Sequence, residues 1–535
     1  MEWLFGRQFA TPEDARAAIG AAAQQAGYSF TQAPPPAKQR RIPLQQGAKL
    51  QSFKQTRCVL LGSMKQACQH SHVYLDGSPH ASKVGFKSAT ERQRLLAATK
   101  DGRVGKTAEL LTAREAFGDG MIFPGPLVLP DDDLAEDPEY PPQDLKEWRD
   151  EEERNPVTPE RKTIYIVPSP SIAPEVSKMH TWSACSNQPS TAKHDMQAAE
   201  PPKIQDLIEY LSAFFHGMAV KHFKPPFQWQ KWNKYDGTIL KSPSTHRRIG
   251  LTTPGHRLFG IRCRASPDGV SPMQINLDDV LDALAENIPA DAHSIMMLLD
   301  LDMYEGDGDV FTAGRAYGGS RIAAVSLFRD QPLCAPPDDS HAWPASHCAE
   351  YIDQLCLEAS CQPPTKKKAK LQPSSRRSRT GTSGPLDKAI EAVQAAAAAA
   401  AAEASSSVIP RPERPDAAAA TAQWLGRTAV TMAHELCHCL GLDHCTYFAC
   451  AMQGCGSVDE AQRQPPYVCP VCLEKICRAI GEGVVDGWEG DRAVREGFVR
   501  ERYVKLRGVC ERWSARMFVG YRAWLDAVLE DCRAC

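Results

Sequence analysis

The string HELCHCLGLDH, residues 434–444, constrains this chain more than any other part of it. Its fixed residues are His434, Glu435, His438, Gly441 and His444, in the pattern H-E-x-x-H-x-x-G-x-x-H. Residues four apart share one face of an α-helix, so the spacing predicts a helix that offers His434 and His438 to one metal ion. Glu435 stands beside the first histidine, where it can reach a water at that ion without being a ligand. Gly441 can take the left-handed backbone that ends a helix and turns the chain. The turn brings His444 back as a third imidazole. Three neutral imidazoles leave the fourth tetrahedral position open, as a catalytic zinc site requires. The bland alternative is two core histidines on one buried helix, and the five fixed offsets weigh against it.

The next residues add a second group. Cys445 follows His444 directly, then come Cys450, Met452 and the CxxC pair Cys469 and Cys472. Four thiolates in two groups suit a closed tetrahedral structural zinc site. The rival reading is disulfides. The N-terminus, MEWLFGRQFATPEDARAAIG, has no basic region followed by an apolar stretch and does not read as a secretory signal. A reducing compartment is therefore expected, where thiols bind metals.

The pattern H-E-x-x-H-x-x-G-x-x-H-C-x4-C-x-M followed by a CxxC resembles the archaemetzincin family of metzincin-clan zinc peptidases. The run FPGPLVLPDDDLAEDPEYPPQDLKEW, residues 123–148, also resembles eukaryotic members, and the likeness spans 117–330 and 421–480. The resemblance implies an α+β, metzincin-like zincin fold. Its parts would be a twisted mixed β-sheet with an antiparallel edge strand, a long zinc-binding helix, and a C-terminal subdomain stabilised by a four-cysteine zinc site. It implies two Zn2+ per chain. His434, His438 and His444 would hold the catalytic zinc, and Cys445, Cys450, Cys469 and Cys472 the structural one. Met452 would be the Met-turn methionine beneath the catalytic metal. The implied activity is hydrolysis of peptide bonds in a peptide or protein substrate, by a zinc-activated water with Glu435 as general base. A catalytically silent zinc-binding scaffold or peptide-binding module is the alternative, and the intact Glu435 speaks against it.

Composition narrows the partners. The formal net charge of −3 argues against a general nucleic-acid footprint. The stretch PPYVCPVCLEK around the CxxC lacks the interleaved basic and aromatic residues of a nucleic-acid zinc module. No window has eighteen consecutive apolar residues, so no membrane span is expected, and the expected location is cytoplasmic or nuclear. Nothing in the sequence fixes an oligomeric state.

Along the chain, residues 1–116 form an N-terminal region without an assigned role, with PPPAKQRR at 34–41 as a linker and helix expected from Arg92 to Ala116. Residues 117–160 read as an acidic, proline-rich connecting segment. A metallopeptidase domain is expected over 161–485. It opens on a buried strand in TIYIVP, then an amphipathic helix through Ile204, Leu207, Ile208, Leu211 and Phe214. Further on are a strand at 257–263, a helix from Leu277, and SIMMLLDLDMY at 294–304 as one central strand. Residues 310–328 place β-type runs on both sides of Gly318-Gly319, a hairpin signal. The low-complexity run 363–420 reads as a solvated insertion with helix propensity in its eight alanines and a basic cluster, KKKAK and RRSR, suited to a nuclear address. The zinc helix is expected over about 421–440. Residues 486–535 read as C-terminal amphipathic helices.

Overall fold

The computed structural model of the 535-residue chain describes residues 73–75, 77–99, 123–152, 154–186, 199–232, 247–334, 341–358, 384–406 and 417–531. The expected linker at 34–41, the basic cluster at 366–379 and most of the expected helix beyond Ala97 lie outside them. A helix covers Glu91–Ala97.

Uninterrupted apolar runs make strands that are buried on both faces, and such strands belong in the middle of a sheet. Among the described residues, β1 (Thr163–Val167) and the wholly buried β8 (Ala292–Leu299) are of this kind. Between them come β2 (Ser171–Ile172), β3 (Ala219–His222), β4 (Gln228–Gln230), β5 (Arg247–Thr252), β6 (Leu258–Arg264) and β7 (Gln274–Asn276). After them come β9 (Asp302–Tyr304), β10 (Gly314–Tyr317) and β11 (Ile322–Ser326). The central sheet has the order β10-β11-β8-β1-β3, with every pair parallel except β10–β11. It is a mixed sheet whose antiparallel strand, β10, lies at one edge.

Side chains alternate across β8, and so does the core. Met296 and Leu298 face one cluster, which holds the helix Ile204–Phe214 and the helix Ala417–Cys439. The C-terminal helices Arg492–Cys510 and Arg516–Asp531 bury Phe498, Tyr503, Phe518 and Trp524 in that same cluster. Ile295, Met297 and Leu299 face a second cluster with the helix Leu277–Ala285 and a six-stranded sheet, β2-β4-β5-β6-β7-β9.

This second sheet departs from the sequence reading. SIMMLLDLDMY is two strands, not one: β8 ends at Leu299, and β9 joins the other sheet beside β7. The acidic residues cause the break. Asp300 accepts from the Ser169 hydroxyl, and buried Asp302 is gripped by Arg329, whose Nε lies 2.9 Å from Asp302 Oδ1. Strand pairing in the first sheet cannot continue through carboxylates that need such partners.

The alanine-rich run also differs from a solvated linker. It contains a helix, Pro385–Ser406, that packs along Arg516–Asp531. Leu386, Ala389, Ile390 and Val393 are buried at helical spacing, which orders a segment whose composition alone does not. No helix among the described residues is long and apolar enough to cross a membrane.

Candidate metal centre and active site

The helix Ala417–Cys439 carries the first two histidines on its last turns, starting and ending within a few residues of the expected bounds. Gly441 closes it at φ +82°, with its N–H donating to the His438 carbonyl at 2.9 Å. The reversed chain then delivers His444. The imidazole centroids of His434, His438 and His444 lie 4.7–5.2 Å apart. The three rings can each offer one ligand atom within 4.8 Å of the others.

The outer ring nitrogens decide what the inner ones can do. His434 Nδ1 lies 2.7 Å from the Ala451 carbonyl oxygen, and His438 Nδ1 2.6 Å from that of Leu442. A carbonyl only accepts, so both Nδ1 atoms carry the proton and both Nε2 atoms expose a lone pair. Those two Nε2 atoms face each other at 3.0 Å. Two lone pairs that close repel, and a bound cation removes the conflict, so the donor set fits a metal ion. Burial holds all three imidazoles far below their ordinary value, at about 3, so they are neutral at pH 7 and free to ligate.

Glu435 is buried on the neighbouring helix position. Burial pushes its carboxyl up to about 8; Arg315 opposes the shift and Glu305 adds to it. Arg315 and Glu305 pair at 3.2 Å beside β10. A residue the sequence did not flag makes room for this carboxylate: a Cβ on Gly314 would lie 2.9 Å from Glu435 Cγ and Oε1. The hairpin turn also presses on the helix end. A Cβ on Gly318 would come within 2.4 Å of the His438 carbonyl oxygen.

Cys445, Cys450, Cys469 and Cys472 form the second group of potential ligands, fully buried. Cys445 and Cys469 Sγ atoms are 3.6 Å apart, and those of Cys450 and Cys472 are 4.0 Å apart. A disulfide needs about 2.05 Å. Four sulfurs at tetrahedral corners, each about 2.3 Å from a zinc ion, would stand about 3.8 Å apart. The spacing therefore fits a metal and not two bridges. Contacts from the other three thiols hold Cys445 well below its ordinary value.

One short segment joins the two groups. Cys450 is a thiol of the second group, the Ala451 carbonyl holds His434, and Met452 is fully buried with its carbonyl accepting from Cys445 N–H at 2.7 Å. The connecting segment frames the other side. Trp148 Nε1 donates to the Leu440 carbonyl at 3.0 Å, and Gln143 Nε2 donates to the Gly441 carbonyl at 3.1 Å. The Tyr140 ring lies 5.6 Å from that of His444. Asn155 Nδ2 reaches the carbonyls of Gly318 and Gly319. In sequence these residues lie about three hundred positions from the turn they brace or, for Asn155, 163 positions from the hairpin residue Gly318. The only sequence signal for them was the run at 123–148.

The metal-binding region is also where known proteins resemble this chain most. Residues 418–478 match the model of peptidase family M54. Archaemetzincin-2 from Rattus norvegicus is 44% identical over 69 residues, which are 13% of this chain and 19% of the relative. Archaemetzincin-1 from Homo sapiens is 26% identical over 240 residues, 44% of this chain and 37% of the relative. A crystal structure of archaemetzincin from Methanopyrus kandleri overlays with 14% identity and a TM-score of 0.27, covering 60% of this chain and 97% of that one. The chain is similar to archaemetzincins over its metal-binding region, residues 418–478. It matches about a fifth of the length of the archaemetzincin-2 relatives and about two fifths of the archaemetzincin-1 relatives.

Proposed function

We propose that this chain is a zinc-dependent metallopeptidase of metzincin-like build, holding two zinc ions and cleaving peptide bonds. His434, His438 and His444 would hold the catalytic ion, and Cys445, Cys450, Cys469 and Cys472 the structural one. The observation that carries the reading is the convergence of three neutral imidazoles beside the buried Glu435 carboxylate, under an edge strand.

When bound, zinc supplies Lewis-acid chemistry, making water a nucleophile near neutral pH and stabilising negative charge on a carbonyl oxygen. The chain's residues do the rest. Glu435, one helix position from His434, takes the proton of the attacking water and returns it to the leaving amine. Positive charge among the imidazoles would favour its carboxylate form against the pull of burial. β10 is paired on one side by β11 and has no strand on the other among the described residues, so an extended substrate can add to it by strand pairing. Met452, fully buried between the two groups, would form the floor below the catalytic ion.

Incubating the zinc-loaded chain with an unbiased peptide library tests this directly. Cleavage is expected, and Glu435→Gln should slow it by about 10²–10⁴ while both metals stay bound. Zinc-loaded chain that binds library peptides without cutting them would establish the silent scaffold instead.

A further inference from the structure

The three histidines are not supported alike. His434 and His438 each give their outer Nδ1 proton to a backbone carbonyl, and His444 has no such carbonyl among the described residues. Its Nδ1 faces Gly454, where a Cβ would lie 2.9 Å away. The same hypothetical Cβ would lie 2.1 Å from Asp133 Oδ2. The carboxylate and the ring nitrogen thus border one small space, kept open because residue 454 has no side chain.

Asp133 is held there by its backbone. Its N–H donates to Glu460 Oε2 at 3.0 Å, and the same oxygen accepts from Gly456 N–H at 2.7 Å. The preceding Asp132 is pinned by Leu129 N–H at 2.9 Å and by an ion pair with Arg463. The Asp133 carboxylate itself has no hydrogen bond or ion pair to another described residue. The carboxylate is half-buried, so an unpartnered charge there is costly.

We propose that Asp133 is a positioning residue for His444: its carboxylate accepts the Nδ1 proton, directly or through one water, and so aims Nε2 at the metal. The inference rests on reading the three histidines as a zinc site. Ligating histidines generally give their second N–H to a carboxylate, carbonyl or water, and losing that partner weakens metal binding by about 10–100-fold. Asp133 lies more than three hundred residues before its ring, in a stretch whose composition suggests only a linker.

The test uses the full chain with its four-cysteine site filled, and titrates the three-histidine site with zinc against a chromophoric chelator. Asp133→Ala should weaken this site by about 10–100-fold. Asp133→Asn, which keeps an acceptor oxygen, should weaken it less. Gly454→Ala should resemble Asp133→Ala, because its Cβ displaces the carboxylate. Cobalt(II) placed in the three-histidine site reports geometry independently of activity. Its visible bands should change in Asp133→Ala, while the sulfur-to-cobalt bands of a sample carrying cobalt at the four cysteines should not. A folded Asp133→Ala with wild-type affinity and an unchanged cobalt spectrum overturns the proposal. If that variant fails to fold, Gly454→Ala decides, and wild-type affinity in it is equally fatal. Wild-type protein that holds no metal at the histidines would remove the zinc reading itself, a result distinct from the other two.

Discussion

The three-histidine and four-cysteine groups lie within 39 consecutive residues, and they are built on opposite plans. The histidines are partly exposed, and two backbone carbonyls hold the outer nitrogens of His434 and His438. The cysteines are sealed in the core, between the turn after the helix and the start of the helix Pro470–Val484. An open site leaves room for a substrate, and a closed one spends every ligand on holding the chain together. The dependence between them runs mainly one way. Cys450 fixes the segment whose next residue, Ala451, orients His434, whereas no described residue of the cysteine group needs a histidine in order to stay in place.

That asymmetry predicts the largest effects. The double variant Cys450→Ser, Cys472→Ser should lose both zinc ions, because freeing residues 450–452 releases His434. It should also lose much of its folding free energy, since binding of a structural zinc is worth on the order of 10 kcal/mol. His438→Ala should lose one zinc and keep the fold. Native mass spectrometry of the two variants checks both outcomes, and a graded chelator should likewise remove the histidine-bound ion first. A cysteine variant that keeps zinc at the histidines would break the asymmetry.

The same contrast explains what the sequence could and could not disclose. Ligand spacing is a local demand of metal geometry, so all seven candidate ligands, Glu435 and the turning Gly441 were legible as one pattern. Their bracing partners were not. Trp148, Gln143 and Asn155 act through a few side-chain hydrogen bonds from a proline-rich stretch, and neither periodicity nor composition marks such contacts. The central sheet was readable where strands were long and apolar, as in β1 and β8. The second sheet was missed because β4, β7 and β9 have three residues each, too few to show alternation. The Pro385–Ser406 helix was hidden by its alanines: four apolar positions in its first half dock it, and the rest reads as low complexity.

A smaller effect separates the two glycines of the hairpin and sharpens the view that the open site depends on its rim. A Cβ on Gly318 meets the His438 carbonyl at 2.4 Å, whereas one on Gly319 meets nothing within 4 Å. The first obstacle is backbone and cannot swing aside. Gly318→Ala should therefore destabilise the chain by about 1–3 kcal/mol, the range for overpacking a tight contact. It should also loosen the histidine site and spare the cysteine site. Gly319→Ala should change thermal stability by only a few tenths of a kcal/mol. Equal melting temperatures for the two variants would show that the turn does not bear on the helix end.

The smallest effect is expected from the insertion, and the docked helix changes where the cut belongs. Replacing all of 365–418 would remove Leu386, Ala389, Ile390 and Val393 from the core and clip the first turn of the site helix. Deleting only 365–383 spares both. Loop length alters closure entropy by about 0.6 kcal/mol per doubling, so stability should move by about that much. Both zinc ions and peptide cleavage should be retained, because neither metal group touches the described end of this run. The deletion also removes KKKAK and RRSR, so nuclear accumulation in cells should fall if they act as an address. Loss of zinc from this shorter chain, measured beside the intact one, would mean that the insertion supports the metal centre and that the two groups are not self-contained within residues 434–472.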